Sequence, residues 1–137
     1  MKLTPYINFE GNAEEAMNFY AIALGGKIQT INRYGDSPMP VDEDYKNKVI
    51  HGRVQFGENV IMISDTFKGK TVQTEGNIQL SVEISEEGQI DDVFKRMAEG
   101  GTVTMDLQNQ FWGARFGMLK DKFGVNWMFN YEIPKTS

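Results

Sequence analysis

Two halves of the chain repeat one order of hydrophobic patterns, and this repeat limits the fold more than any other feature. Four apolar residues that alternate with polar ones in the first half recur 75 positions later; the two sets are Leu3, Pro5, Ile7 and Phe9, and Ile78, Leu80, Val82 and Ile84. Such alternation is typical of a half-buried strand. The glycine pairs at 25/26 and 100/101 keep the same spacing. The sequence therefore predicts two copies of one small folding unit.

Each copy continues with a helix. Asn12, followed three residues later by Glu15, matches an N-cap with a capping-box carboxylate. Apolar residues at helical spacing come next in both halves: Ala16, Phe19, Tyr20 and Ala23, and then Ile90, Val93, Phe94, Met97 and Ala98. The glycine pairs end both helices. Three further strands in each half complete a βαβββ pattern, which predicts an α+β fold with two helices outside mainly antiparallel sheets.

The strands of the first half have clear limits at 27–34, 49–56 and 59–65, with Gly57-Glu58 as a tight connection. The polar segment 35–48 contains proline and has little periodicity. Loops of this length in a compact domain are often functional lids or disordered connections, so we expect a mobile loop here.

The second half ends in a hairpin that is unusually rich in aromatic residues, within 111–131. Trp112 and Arg115 lie at its mouth, so that a large aromatic surface adjoins a cation. This combination suits a ligand cleft, where a few polar groups among apolar walls orient the ligand. Core or interface packing of the aromatic residues, with Arg115 as a solvated or paired charge, is the alternative.

Composition limits the class of protein. A length of 137 residues predicts one domain, and the absence of cysteine excludes disulfides and thiolate chemistry and fits a reducing cytoplasm. No apolar run is long enough to span a bilayer, and the N-terminus has no secretion signal. A net charge of −5 without a basic run disfavours nucleic acid as a partner. We therefore expect a cytoplasmic protein that binds neither membrane nor nucleic acid.

Long segments of the chain resemble a known family. PYINFEGNAEEAMNFY, HGRVQFGENVIMISD, LSVEI, AEGGTVTMDL and FWGARFGMLKDKFGVNWMFN are similar to the PhnB-like branch of the vicinal oxygen chelate superfamily, which includes glyoxalase I, bleomycin-resistance proteins, fosfomycin-resistance enzymes and extradiol dioxygenases. The resemblance implies a single PhnB-like domain over 1–137, made of two βαβββ modules at about 1–66 and 77–133. Their curved mixed or antiparallel sheets would enclose a cleft, commonly in a homodimer.

Enzymes of the superfamily hold a divalent metal with His, Glu or Gln from the first and last strands of each module. The matching positions here are Thr4 or Pro5, Ile61 or Met62, Asn77 or Gln79, and Met128. None offers imidazole or carboxylate, and the chain has a single histidine. We therefore expect neither a metal nor another cofactor.

Polar residues remain on the strand faces that would line the cleft. Strand parity places Tyr6, Asn8, His51, Arg53, Gln79 and Ser81 there, and Trp112 and Arg115 complete the expected binding set. His51 is the candidate catalytic base, because only histidine has an unperturbed pKa near neutrality. A purely structural, hydrogen-bonded His51 is the alternative. Asp65 either orients His51, binds a ligand cation, or simply ends a strand.

Two functions fit these residues. The first is a protein that binds a small aromatic or oxygenated metabolite in a metal-free cleft across a homodimer. The second is an enzyme of the superfamily, such as a lyase, dioxygenase, transferase or 3-demethylubiquinone methyltransferase-like protein, with His51 as base and Arg53 or Arg115 holding an anion. An interaction module, whose aromatic hairpin is buried between protomers, is a third reading.

The positions that would hold a metal have no imidazole or carboxylate side chain, and this expectation can be tested directly. Protein purified without chelator and without an affinity tag should carry no stoichiometric divalent metal by elemental analysis. About one zinc, nickel, manganese or iron per chain would contradict the assignment of these positions.

Overall fold

The computed structural model describes residues 1–74 and 76–135. The chain forms two compact units, residues 1–73 and 74–137, which we call module 1 and module 2. Module 1 contains β1 (Tyr6–Phe9), α1 (Ala13–Ala23), β2 (Lys27–Arg33), β3 (Val49–Phe56) and β4 (Asn59–Asp65). Module 2 contains β5 (Leu80–Glu83), α2 (Gln89–Ala98), β6 (Thr102–Asn109), β7 (Ala114–Lys120) and β8 (Asn126–Glu132). The predicted βαβββ order of both halves is confirmed.

Each module has one four-stranded mixed sheet. The strand order is β1-β4-β3-β2 in module 1 and β5-β8-β7-β6 in module 2. The first strand of each module runs parallel to the last, and the other neighbouring pairs are antiparallel. The predicted α+β fold is thus confirmed, with mainly antiparallel pairing.

The helix of each module packs over a glycine in the sheet. A Cβ on Gly52 would lie 2.5 Å from Cε of Met17 on α1, and a Cβ on Gly117 would lie 2.8 Å from a ring carbon of Phe94 on α2. Both apolar side chains are buried. The sequence missed Met17 and favoured Phe19, which is only half-buried, because the two residues border the same helical stripe.

The two glycines that follow each helix have different tasks. Gly25 and Gly100 adopt positive φ values of 71° and 73°, which end the helices as predicted. A Cβ on Gly26 would lie 2.1 Å from the carbonyl oxygen of Gln55, and the equivalent distance from Gly101 to Lys120 is 2.3 Å. Gly26 and Gly101 are therefore needed because the chain passes directly over the backbone of another strand.

The N-terminus of α1 is capped by Asp65, which lies beside Phe9 at the end of the neighbouring strand β4. The Asn12 side chain makes no capping hydrogen bond, so the capping-box prediction was wrong. Instead, Oδ1 of Asp65 accepts hydrogen bonds from the backbone N–H groups of Gly11 and Ala13, at 2.8 and 2.9 Å. Its Oδ2 accepts the N–H of Val49 at 2.9 Å. Asp65 ends β4 as the sequence indicated, and its side chain ties together three segments of module 1.

The segment between β2 and β3 is more structured than the sequence predicted. It contains two short 3-10 turns, Tyr34–Asp36 and Glu43–Tyr45. The hydroxyl of Tyr34 donates to the carbonyl of Asp65 at 2.8 Å, and the hydroxyl of Tyr45 donates to the carbonyl of Thr66. Both tyrosines thus anchor the segment to the end of β4.

Among the described residues, no helix is long and apolar enough to cross a membrane.

The Asp65 carboxylate generates a stability prediction. Asp65→Asn should lower the free energy of unfolding by about 1–3 kcal/mol, because the amide nitrogen would face a buried N–H donor that the carboxylate now satisfies. Denaturant titration followed by circular dichroism measures the change. Asp106→Asn, at an exposed position of β6, is the matched control and should change stability by less than about 0.5 kcal/mol. Equal losses in the two variants would contradict the role of Asp65.

Candidate functional site

The side of the module 1 sheet that points away from α1 carries polar residues. Gly52 lies against α1, so its neighbours on β3 project from the opposite side of the sheet. Strand pairing sets Tyr6 beside Met62, and Met62 beside Arg53. We call this side the polar face of module 1; it carries Tyr6, Asn8, Thr30, His51, Arg53, Met62 and Ser64. Four of the residues predicted to form the site, Tyr6, Asn8, His51 and Arg53, share this face.

Two contacts organise the polar face. The hydroxyl of Ser64 donates to Oδ1 of Asn8 at 3.2 Å, which fixes the amide and leaves its nitrogen free to donate to a ligand. The ring of Tyr6 lies with its centroid 6.1 Å from that of His51. An amide, an imidazole and a phenol thus share one face of the sheet, where Tyr6 and Asn8 are exposed and His51 is half-buried.

The possible catalytic partners of His51 are engaged elsewhere. Both oxygens of Asp65 accept backbone N–H groups, so this carboxylate serves the N-terminus of α1. The guanidinium of Arg53 donates through Nε to Gln29 at 3.1 Å. Within residues 1–74 and 76–135, no carboxylate hydrogen-bonds to the imidazole of His51.

A cavity of about 240 Å³, which we call the first pocket, opens at the end of β4. Its lining residues are Asn8, Tyr34, Ile50, Ser64, Asp65, Thr66, Phe67 and Lys70. The pocket therefore joins the polar face at Asn8 and Ser64 and adds aromatic walls. Lys70 supplies an ammonium group that takes part in no ion pair in the described part of the chain.

Tyr34 is the fixed wall of this pocket. Its side chain is buried, and burial together with the nearby charge of Asp65 raises the pKa of its phenol. The phenol therefore stays protonated at physiological pH and keeps donating to the carbonyl of Asp65.

The other predicted site residues belong to module 2. Ser81 is exposed on β5 beside Met128 of β8, and Gln79 lies just before β5. Trp112 is 54 % exposed and contacts two aromatic rings, those of Phe111 at 5.1 Å and Phe116 at 6.2 Å between centroids. We call Phe111, Trp112 and Phe116 the aromatic tip.

Arg115 has a partner within module 2. Its Nη2 donates to Oδ1 of Asp91 on α2 at 2.6 Å, and its Nη1 donates to Oδ1 of Asn109 at 3.1 Å. The guanidinium thus lies on the helix side of the sheet, where Gly117 contacts Phe94. A ligand anion would have to compete with Asp91 for this charge.

The positions that correspond to metal ligands in the superfamily carry the wrong donors. Met62 of β4 lies beside Tyr6, and Met128 of β8 lies beside Ser81. The other expected positions, Thr4 or Pro5 and Asn77 or Gln79, precede β1 and β5. The hydroxyl, amide and thioether groups at these positions do not replace imidazole and carboxylate ligands for a divalent metal. In the described ranges, 1–74 and 76–135, no three His, Asp or Glu side chains could together hold a metal ion. The residues present do not fit the metal site of the superfamily.

Several pocket residues escaped the sequence-based prediction. Phe67 and Lys70 lie in a polar connection without periodicity, and Tyr34 directly follows the end of β2. One signal was available, since Phe67 is an isolated large apolar residue in a polar segment. Ser64 could have been found from parity, because it follows Met62 on the polar face.

Comparisons with known proteins agree with this architecture. A family model described as 3-demethylubiquinone-9 3-methyltransferase matches residues 1–129. Protein YjdN of Escherichia coli is 30 % identical over 141 residues, covering 95 % of both chains. The crystal structure of PA1353 from Pseudomonas aeruginosa is 36 % identical, with a TM-score of 0.87 and coverage of 98 % of this chain and 99 % of that one.

Two further structures from Bacillus cereus place the fold. A putative 3-demethylubiquinone-9 3-methyltransferase, PhnB protein, is 32 % identical with a TM-score of 0.80, covering 96 % of this chain and 99 % of that one. A glyoxalase family protein shares the fold at 13 % identity and a TM-score of 0.68, covering 98 % and 97 %. The chain therefore belongs to the PhnB-like family described as 3-demethylubiquinone-9 3-methyltransferase, and it shares the fold of a glyoxalase family protein.

Proposed function

We propose that this protein binds a small aromatic or oxygenated metabolite at the polar face of module 1, without a metal, and that its two modules serve as one PhnB-like domain. The observation that carries the proposal is the first pocket, about 240 Å³ in volume, where the Asn8–Ser64 hydrogen bond meets aromatic walls. Pockets of small-molecule binders combine such apolar walls with a few fixed polar groups.

The polar groups favour an oxygenated ligand. The free N–H of the Asn8 amide and the ammonium of Lys70 are both donors, and they suit carbonyl, hydroxyl or carboxylate oxygens. Tyr34 and Phe67 offer aromatic surface for a ring of the ligand. Tyr6, His51 and Arg53 extend the same face with additional donors.

The alternative is an enzyme in which His51 acts as a base. A general base needs a group that sets its tautomer and a substrate proton within hydrogen-bond reach. Asp65, the sequence candidate for that orienting role, caps α1 instead. Tyr6 is near His51, but its ring centroid lies 6.1 Å away. Ligand binding is therefore the function that the geometry supports better.

The family description names methyl transfer, which needs a methyl donor as well as an acceptor. At about 240 Å³, the first pocket is below the roughly 300 Å³ at which ligand pockets usually begin. This volume does not hold a nucleoside-sized methyl donor together with a second substrate, so methyl transfer is not part of the proposed function.

Binding is tested by thermal unfolding with a panel of phenols and aromatic carboxylates at 1 mM. A compound at about 100 times its Kd should add about 2.7 kcal/mol and raise the Tm by several degrees. Asn8→Ala should weaken the binding of such a compound about tenfold, because one positioned donor is lost. Asn18→Ala, on the exposed side of α1, is the matched control and should bind normally. If no compound raises the Tm, or if both variants lose affinity equally, the proposal is wrong.

We also propose that the protein works as a homodimer in the cytoplasm, with the aromatic tip covered by a second copy. Phe111 is 96 % exposed and Trp112 is 54 % exposed, and two further apolar residues, Val103 and Met105, are exposed on the adjacent β6. Large apolar patches are seldom left in water on a monomer, and aromatic residues are enriched at interfaces. The cysteine-free composition supports a reducing compartment.

Sedimentation velocity at micromolar concentration tests the dimer. Trp112→Ala should raise the Kd of dimerisation at least about tenfold, because interface aromatics commonly contribute above 1 kcal/mol. Lys135→Ala, in the exposed C-terminal segment, should leave the Kd unchanged. A monodisperse monomer for the unmodified protein would rule out the proposed assembly.

A further inference from the structure

A second cavity adjoins the first pocket within module 1. This second pocket has a volume of about 190 Å³, and its lining residues are Tyr34, Met39, Pro40, Val41, Asp42, Tyr45, Phe67 and Lys68. Tyr34 and Phe67 line both pockets. The rings of these two residues meet edge to face with centroids 6.1 Å apart. The two cavities are therefore neighbours, separated by two aromatic side chains.

The two separating rings are held very differently. Tyr34 is 4 % exposed, its hydroxyl donates to Asp65, and its ring packs against Tyr45 at 5.1 Å between centroids. Phe67 is 61 % exposed and touches the protein mainly along one side. Exposed side chains change rotamer within nanoseconds, whereas packed ones do not. Phe67 is thus the movable part of the partition.

The two pockets differ in chemistry. The first presents the Asn8 amide, the Ser64 hydroxyl and the Lys70 ammonium. The second is walled by aliphatic side chains and rings, with Met39, Pro40 and Val41 on the segment that precedes β3. A molecule that filled both would need a polar end and an apolar end.

The charges at the rim of the second pocket are paired with one another. Nζ of Lys68 contacts Oδ1 of Asp44 at 2.8 Å and Oδ2 of Asp42 at 3.2 Å. These ion pairs also tie the segment that carries Val41 to the turn that carries Phe67. The apolar wall is therefore held against the partition, and this group of one ammonium and two carboxylates keeps one negative charge, which disfavours the anionic end of a ligand at this pocket.

We propose that the two pockets form one elongated site, divided by Phe67, whose ligand is an amphiphile with an oxygenated or anionic end and an apolar end. The polar end occupies the first pocket, and the apolar end passes Phe67 into the second. Each cavity alone is smaller than the roughly 300 Å³ of common ligand sites, whereas the two together exceed it. This inference rests on the proposed function, because it extends the same binding site.

The test uses phenylalkanoates of increasing length as probes, from benzoate to 5-phenylpentanoate, with Kd measured by calorimetry. Each methylene that enters the second pocket should tighten the Kd about fourfold. Val41→Asn places an amide in the apolar wall at similar volume, and it should abolish this gain while the Kd of benzoate stays unchanged. Ile22→Asn, at an exposed position of α1, should retain the gain.

A second variant guards against misfolding of the first. Met39→Gln makes a side chain that lines only the second pocket polar at similar size, and it should also remove the gain with length, without loss of benzoate binding. If benzoate binds but chain length has no effect in the unmodified protein, or if both variants keep the gain, the elongated site is refuted while the first pocket stands. If no phenylalkanoate and no matching phenylalkanol binds, the proposed function fails together with this inference.

Discussion

The carboxylate of Asp65 is the interaction on which module 1 depends. It accepts three backbone N–H groups, which come from the turn before α1, the first residue of α1 and the start of β3. Because these donors lie on different segments, one side chain fixes the helix, two strands and the end of the first pocket relative to one another. A buried carboxylate with three donors is well satisfied, so its burial does not demand a counter-ion.

Module 2 also contains a buried carboxylate, but its hydrogen bonds go to a different part of the module. Asp121 is also buried, and it accepts the N–H groups of Phe123 and Val125 and the indole N–H of Trp127. This carboxylate therefore organises the turn before β8 rather than the start of a helix. The two modules therefore share a strand order, but their buried carboxylates contact different parts of the module.

Local patterns made much of the fold predictable. The bounds of β3 and β4, Val49–Phe56 and Asn59–Asp65, match the two predicted strands on either side of the Gly57-Glu58 connection. The sequence pattern assigned the cap of α1 to Asn12. The helix is instead capped by the carboxylate of Asp65, which lies 52 residues from Ala13 in sequence, so a local pattern could not reveal it. Four members of the polar face were found from parity, whereas Phe67 and Lys70 were not, because their segment has no period. Arg115 was placed in the expected binding set, with a solvated or paired charge as the alternative, and the sequence could not name its partner because Asp91 comes from a helix whose orientation it does not reveal.

The double use of Asp65 limits how this protein can diversify. Its carboxylate borders the first pocket, yet both of its oxygens are committed to the backbone. A lineage that altered this residue to suit a new ligand would lose the first turn of α1 in the same step. Neighbouring residues such as Ile50, Phe67 and Lys70 carry no comparable structural duty, so selection can vary them one at a time. Changes of ligand preference should therefore accumulate at the other lining residues of the first pocket, while the aspartate itself stays fixed.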